Sequence, residues 1–252
     1  MLNKSSLLLP CLVSLFFLSC EREKPSLTLS FTGDLLLDRG VREQITRRSI
    51  ASLFEPIKPI LSQSDFVVTN LECPVTKRQT PVVKKYIFRA EPEWLPEVKK
   101  AGITHLGMAN NHTYDQGREG ITDTYKNVTQ AGLVAIGYGQ NQQKACEPVL
   151  VEKNGIRVAL FASVLLPLEN WPYLPESPGI CQATISQLSE RIKAYHNQQP
   201  ADKIVVILHW GVEFQTSPGI IQRKEAKSLI DVGADAIIGH HPHVVQPLSY
   251  YK

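Results

Sequence analysis

Cysteine is scarce. The 252 residues hold five, at positions 11, 20, 73, 146 and 181, with no CxxC pair among them. That excludes a disulfide-framed miniature fold and a zinc-finger pattern. Net charge is equally spare: 27 Lys and Arg against 24 Asp and Glu leave +3, too little to argue for nucleic acid as a partner. Internal repeats and low-complexity tracts are missing, and no apolar run reaches the roughly 20 residues that a bilayer span requires.

What is there is an ordinary globular composition, 43% hydrophobic and 20% charged, enough to bury a sizeable core as one large or two small domains. The basic stretch TKRQTPVVKKYIFR carries Lys77, Arg78, Lys84, Lys85 and Arg89. It reads as a solvated loop and strand face in preference to a polyanion contact.

The first twenty residues stand apart. One cation, Lys4, precedes an apolar stretch from Leu7 to Leu18, the size of a secretory signal. Leu18-Ser19-Cys20, followed at once by Glu21, Arg22 and Glu23, is similar to a bacterial lipoprotein signal in which Cys20 becomes the lipidated first residue. The alternative is a plain signal peptide with an incidental cysteine, since Phe17 stands where leucine is usual in such boxes. The expectation is a signal peptide over 1–19, a linker over 20–26, one domain over 27–252, and a protein exported to the cell envelope and held at the membrane by lipid. Cys73, Cys146 and Cys181 then remain, and at most one bridge can form.

Beyond the linker, strand-like and helix-like patterns alternate. SLTLSFTG, DFVVTNLE, THLGM, RVALFASVLL, DKIVVIL and ADAIIG read as strands. The last three resemble runs buried on both faces. EPEWLPEVKKAG, REGITDTYKNVTQAG, ISQLSERIKAYHNQ and IIQRKEAKSLIDVG read as helices, and SLFEPIKPILSQS as a helix interrupted by Pro56 and Pro59. The alternation predicts an α/β fold with largely parallel strands and layered helices.

Polar residues recur where strands end. Asp34 follows the first, Asn70 and Glu72 the second, and Asn110, Asn111, His112 and Asp115 the third. His209 and Glu213 follow DKIVVIL, while His240, His241 and His243 follow ADAIIG. Singly these are weak: Asp34 suits a helix cap and the asparagine pair suits a turn. Together they converge, because ligands of open α/β sheets bind at the carboxyl ends of the strands. Two carboxylates, an amide oxygen and several imidazoles without thiolates suit Zn²⁺, Mn²⁺ or Fe²⁺ better than Ca²⁺. His241 and His243, spaced i, i+2 across Pro242, would point the same way from extended chain.

FTGDLLLDRGV, NLECPVT, GMANNHTYDQG, ILHWGVEF and IIGHHPHVVQP, in this order from Phe31 to Pro247, resemble the CapA family of poly-γ-glutamate capsule-synthesis proteins, within the calcineurin-like metallophosphoesterase superfamily. The resemblance implies a four-layer αββα sandwich with a dinuclear metal site. Asp34, Glu72 (bridging), Asn111, His209, His241 and His243 would be ligands. His112 would protonate a leaving group with Asp115 orienting it. Arg39, Asn70, Glu213 and His240 would lie in the surrounding shell or touch substrate. Two departures stand out. Leu36 occupies a position that is histidine in ordinary superfamily phosphoesterases, leaving open one weakly held metal or two in altered geometry. The chain also stops where members usually continue through another strand pair, so residues 244–252 read as the start of a hairpin and a sheet edge is expected bare. The implied function is a metal-dependent hydrolase acting on a phosphoester or related polymer linkage. The alternative is a non-catalytic accessory binding an anionic capsule polymer, alongside other capsule-synthesis proteins.

Overall fold

Where each strand sends its alternate side chains determines how the chain layers. The computed structural model describes residues 24–252, so the expected signal peptide and Cys20 lie outside the described residues. Ten strands and eight helices follow in order: β1 (Leu29–Leu35), α1 (Gly40–Arg47), α2 (Ile50–Phe54), α3 (Lys58–Leu61), β2 (Phe66–Leu71), α4 (Leu95–Lys100), β3 (His105–Gly107), α5 (Gly117–Gln130), β4 (Val134–Ile136), β5 (Tyr138–Gly139), α6 (Gln142–Ala145), β6 (Val149–Lys153), β7 (Ile156–Val164), β8 (Gly179–Ile180), α7 (Ile185–Gln198), β9 (Lys203–His209), α8 (Ile220–Asp231) and β10 (Ala236–His240). One four-stranded sheet runs β1-β2-β3-β4, all parallel; a second runs β10-β9-β7-β6, parallel except for the β6–β7 hairpin; β5 and β8 form a separate antiparallel pair.

Period-two alternation sets the layers. On β7, Val158, Leu160 and Ala162 enter the core between the sheets, while Ala159 and Phe161 face the helices with Leu188 and Ile192 of α7 and Leu229 of α8. Val205 and Ile207 of β9 face inward, and Ile204, Val206 and Leu208 face outward. On β2, Val68 points between the sheets and Val67 and Leu71 join Leu95, Val98 and Phe54 under α2 and α4. The result is the expected helix–sheet–sheet–helix sandwich. Each fully buried Leu, Ile or Phe contributes about 1.5–3 kcal/mol to it.

The sequence reading missed α1, the short strands β4, β5 and β8, and all of β6. The hairpin had a signal: Asn154-Gly155 separates the two runs, and both residues take positive φ (53° and 77°), as a two-residue hairpin turn demands. Residues 244–252 form no strand, and β1 and β10 each lie at one edge of their sheet. Of the three cysteines, Cys146 and Cys181 pair, tying the end of α6 to the segment after β8, and Cys73 is buried and free. Burial pushes the Cys73 thiol up to about 12, which leaves it inert.

Candidate metal centre

The carboxyl ends of the parallel strands in both sheets come to one place. Register does this: Asp34 pairs with Asn70 across β1–β2, and His240 pairs with His209 across β10–β9. A β-bulge between Phe31 and Asp34 interrupts the β1 ladder just before the aspartate, the kind of irregularity that re-aims a side chain. His240 Nε2 lies 3.0 Å from the Thr32 carbonyl, stitching the end of one sheet to the other, so this imidazole is occupied structurally.

Around that seam the donors gather in two groups sharing one member. Asp34, Glu72 and His209 offer atoms within 4.8 Å of one another, and so do Glu72, His241 and His243. Glu72 Oε1 is 3.6 Å from His209 Nε2, and its Oε2 is 3.9 Å from His243 Nδ1. Asn111 Oδ1 sits 2.9 Å from His209 Nε2. Asp34 accepts from the Asn70 amide (2.7 Å) and lies 3.0 Å from His243 Nδ1. The ring centroids of His209 and His241 are 5.1 Å apart, and those of His241 and His243 5.8 Å. All six expected ligands are therefore together.

His241 and His243 arrive differently from the expectation. They do not alternate from an extended strand: β10 ends at His240, and both residues take positive φ, 96° and 55°. The tight turn around Pro242 aims the imidazoles inward. Such backbone strain in non-glycine residues gathers at functional sites.

The electrostatics are those of a cation site. Burial raises the Glu72 carboxyl to about 9, with Asp34 adding repulsion. Its Oε1, like His241 Nδ1, is buried without a hydrogen-bond partner. Burial would raise Asp34 too, but hydrogen bonds from His243 and Asn70 and the nearby His240 and His209 hold it at about 2. Burial pushes His209 far below the ordinary histidine range and His241 down as well. The Asp34 hydrogen bond raises His243. Neutral imidazoles, orphaned buried donor atoms and paired carboxylates fit one or two divalent ions of the borderline class. Glu213 is exposed on the turn after β9, where its charge favours protonation of His241 and His243. Leu36 contributes no donor and instead lines, with Leu35, Val41 and Phe54, a cleft of about 610 Å³ beside Asp34.

Next to the donors stands a second assembly. His112 Nδ1 lies 2.8 Å from Asp115 Oδ2, and that oxygen also accepts from the Phe88 amide at 2.7 Å. Asp115 Oδ1 meets the Lys84 ammonium at 2.6 Å, and Lys84 also donates to the Asn111 carbonyl at 2.9 Å. Both side chains are out of solvent, at 4% for Lys84 and 0% for Asp115. This corrects the reading of Lys84 as solvated: a lysine in a basic run looks like surface until a partner far along the chain, Asp115, claims it. Arg78 and Arg89 are likewise paired, with Asp123 and Glu91. Asn110 does make the turn, accepting from the His112 amide two residues on, and it is also fully buried, donating to the Leu71 carbonyl and Asn70 Oδ1. It locks the two strand ends together. Neither Lys84 nor Asn110 carried a local signal of these roles.

Two sheets sandwiched between helices, with a mixed carboxylate, amide and imidazole cluster at their shared carboxyl edge, define a calcineurin-like phosphoesterase fold. The structure of a calcineurin-like phosphoesterase, YfkN, from Bacillus subtilis matches with a TM-score of 0.57 at 17% identity, over 88% of this chain and 74% of that one. The chain itself belongs to the bacterial capsule synthesis protein PGA_cap family, whose model matches residues 28–252. It is 35% identical to the capsule biosynthesis protein CapA of Bacillus anthracis over 92% of this chain. It is 32% identical to the PGA biosynthesis protein CapA of Bacillus subtilis over 90%. It spans 58% and 60% of the length of those two relatives.

Proposed function

We propose that this protein is a metal-dependent hydrolase of the bacterial envelope, cleaving a phosphoester or related linkage in the handling of an anionic capsule polymer. The observation that carries the reading is the sharing of Glu72 between two donor groups beside an oriented His112–Asp115 pair. Asp34, Glu72, Asn111, His209, His241 and His243 would hold the cations. Bound divalent ions would supply water activation and neutralise charge developing on the substrate. With Nδ1 committed to Asp115, His112 keeps Nε2 to deliver a proton to the leaving oxygen. Lys84 and the Phe88 amide fix Asp115, and Asp115 fixes the ring. The apolar segment before Cys20 and the capsule-synthesis names of the relatives support export, with lipidation of Cys20 as the membrane tie and capsule-synthesis proteins as neighbours. Leu36 supports the second reading, a polymer-binding accessory without turnover.

The test is metal content and aryl phosphate turnover of the metal-loaded protein, beside His241→Ala and His112→Ala. His241→Ala should lose metal. His112→Ala should keep metal and lose about 10²–10⁴-fold in turnover. A metal-loaded wild type that cleaves no phosphoester and no isolated capsule polymer would replace the hydrolase with the accessory.

A further inference from the structure

At the rim of the centre the fold holds one cation in a conformation that costs energy. Arg39 takes φ 53° and ψ −130°, the mirror of the extended region, open to glycine and strained for any residue with a Cβ. The strain is locked in from outside. The Asp38 carboxylate accepts from the Arg39 amide (2.8 Å), from Arg42 Nε (2.9 Å) and from the Arg89 amide (2.8 Å), and Arg42 and Arg89 both pair with Glu91. These contacts clamp the Arg39 turn to the segment that carries Phe88.

The Arg39 side chain then lies on aromatic faces. Its guanidinium carbon is 5.4 Å from the Tyr86 ring centroid and 5.9 Å from that of Phe88. Lys85 Nζ is 5.0 Å from the same Tyr86 ring. Phe88 in turn packs against His112, centroids 4.2 Å apart. Among the described residues neither Arg39 nor Lys85 is in an ion pair, whereas Arg42, Arg78 and Arg89 all are. Two cations stand on an aromatic ledge, Arg39 one ring away from the imidazole, and no carboxylate among the described residues pairs with either.

We propose that Arg39 and Lys85, on the Tyr86–Phe88 ledge, form an anion subsite on the leaving-group side of the centre. It takes a carboxylate or phosphate carried by the portion of substrate that departs. The side assignment rests on the proposed role of His112: the group that protonates the leaving oxygen faces the leaving portion, so a cation one ring beyond it meets the same portion. The planar guanidinium suits a carboxylate or phosphate in two-point contact, and Lys85 adds a point charge.

The experiment titrates metal-free protein by calorimetry with tri-γ-glutamate in one arm and tripolyphosphate in the other, so that carboxylate and phosphate are distinguished and no metal contributes. One probe should bind wild type, with affinity that falls as salt is raised. Arg39→Met and Arg39→Gly should weaken it at least about tenfold, Lys85→Met by about threefold, and Lys193→Met, a charge removed from the exposed face of α7, should not change it. Arg39→Gly should also raise Tm, because glycine accepts the backbone that arginine resists; the opposite effects on stability and binding separate function from misfolding. In a second arm, metal-loaded wild type should prefer an aryl phosphate with a carboxylated leaving group over a neutral one, and Arg39→Met should bring that ratio towards 1. Equal binding by wild type and Arg39→Met, or no binding of either probe, overturns the subsite whatever the turnover. Arg39-dependent binding without any turnover keeps the subsite, overturns its leaving-group assignment and removes the hydrolase reading.

Discussion

Glu72 pulls the metal-free protein in one direction as pH changes. Its carboxyl is raised from 4.5 to about 9 by burial and by Asp34, so the folded state binds a proton that the unfolded chain releases. That contribution to stability is complete below about pH 4.5 and is lost as pH rises through about 9. Asp34, lowered from 3.8 to about 2, works oppositely, and its contribution disappears only as pH falls through about 2. Burial lowers His209 and His241, which work against Glu72 below the ordinary histidine range, so metal-free protein should lose Tm from pH 7 to pH 8.5, and Glu72→Gln should flatten that slope. Bound cations displace the Glu72 proton, so metal affinity should rise over the same window; a pH-independent affinity would contradict the role of Glu72. Lys84 is the sharper single test. Lys84→Met removes the ion-pair partner of buried Asp115 and leaves its Oδ1 without a partner, and should cost about 3–5 kcal/mol in urea unfolding. A lysine on a solvated face would cost almost nothing.

Between elements, the disulfide from α6 to the segment after β8 joins residues 35 apart. It fastens the outer core of the second sheet, where Cys146 and Cys181 pack with Ala145, Ala183 and Leu188. Reduction, or the double change Cys146→Ala with Cys181→Ala, should lower unfolding free energy by about 2–4 kcal/mol through the loop freed in the unfolded chain. The metal donors lie at the sheet seam and not on this loop, so metal bound per folded molecule should not change on reduction. Loss of metal together with the bridge would show that the two regions are coupled. At this scale the sequence was read well where strands are long and apolar, as in β7 and β9. β4, β5 and β8 carry no such run and exist only because a neighbour's backbone pairs with them, and β6 shows itself only through the Asn154-Gly155 turn that follows it.

For the whole molecule, metal and fold should be linked. The donors come from both sheets: Asp34, Glu72 and Asn111 lie at or beyond the ends of strands of the first, and His209, His241 and His243 at or beyond the ends of strands of the second. A cation bound there would bridge the two sheets and favour the folded state over the unfolded by RT ln(1 + [M]/Kd), about 2.7 kcal/mol at a hundredfold excess over Kd. Addition of Mn²⁺ or Zn²⁺ should raise Tm and a chelator should reverse it. Asp34→Ala and His241→Ala, one from each sheet, should each remove most of the gain. A Tm indifferent to metal in wild type would contradict a centre spanning the seam.

By itself the sequence determined the layering and the ligand inventory. Unbroken apolar runs along Val158–Ala162 and Ile204–Leu208, and polar residues placed at or just past the strand ends, are local properties of a chain, written residue by residue. The tertiary structure decided what no local pattern contains. It turned His241 and His243 inward through left-handed backbone, put Glu72 between two donor groups, withdrew Lys84 from solvent to Asp115, and left Arg39 strained and unpaired on Tyr86 and Phe88. The reason is separation. Lys84 and Asp115 stand 31 positions apart, and Asp34 and His243 lie 209 apart in the chain. The charge and shape that each side chain meets are therefore fixed by how two sheets pack, not by its sequence neighbours.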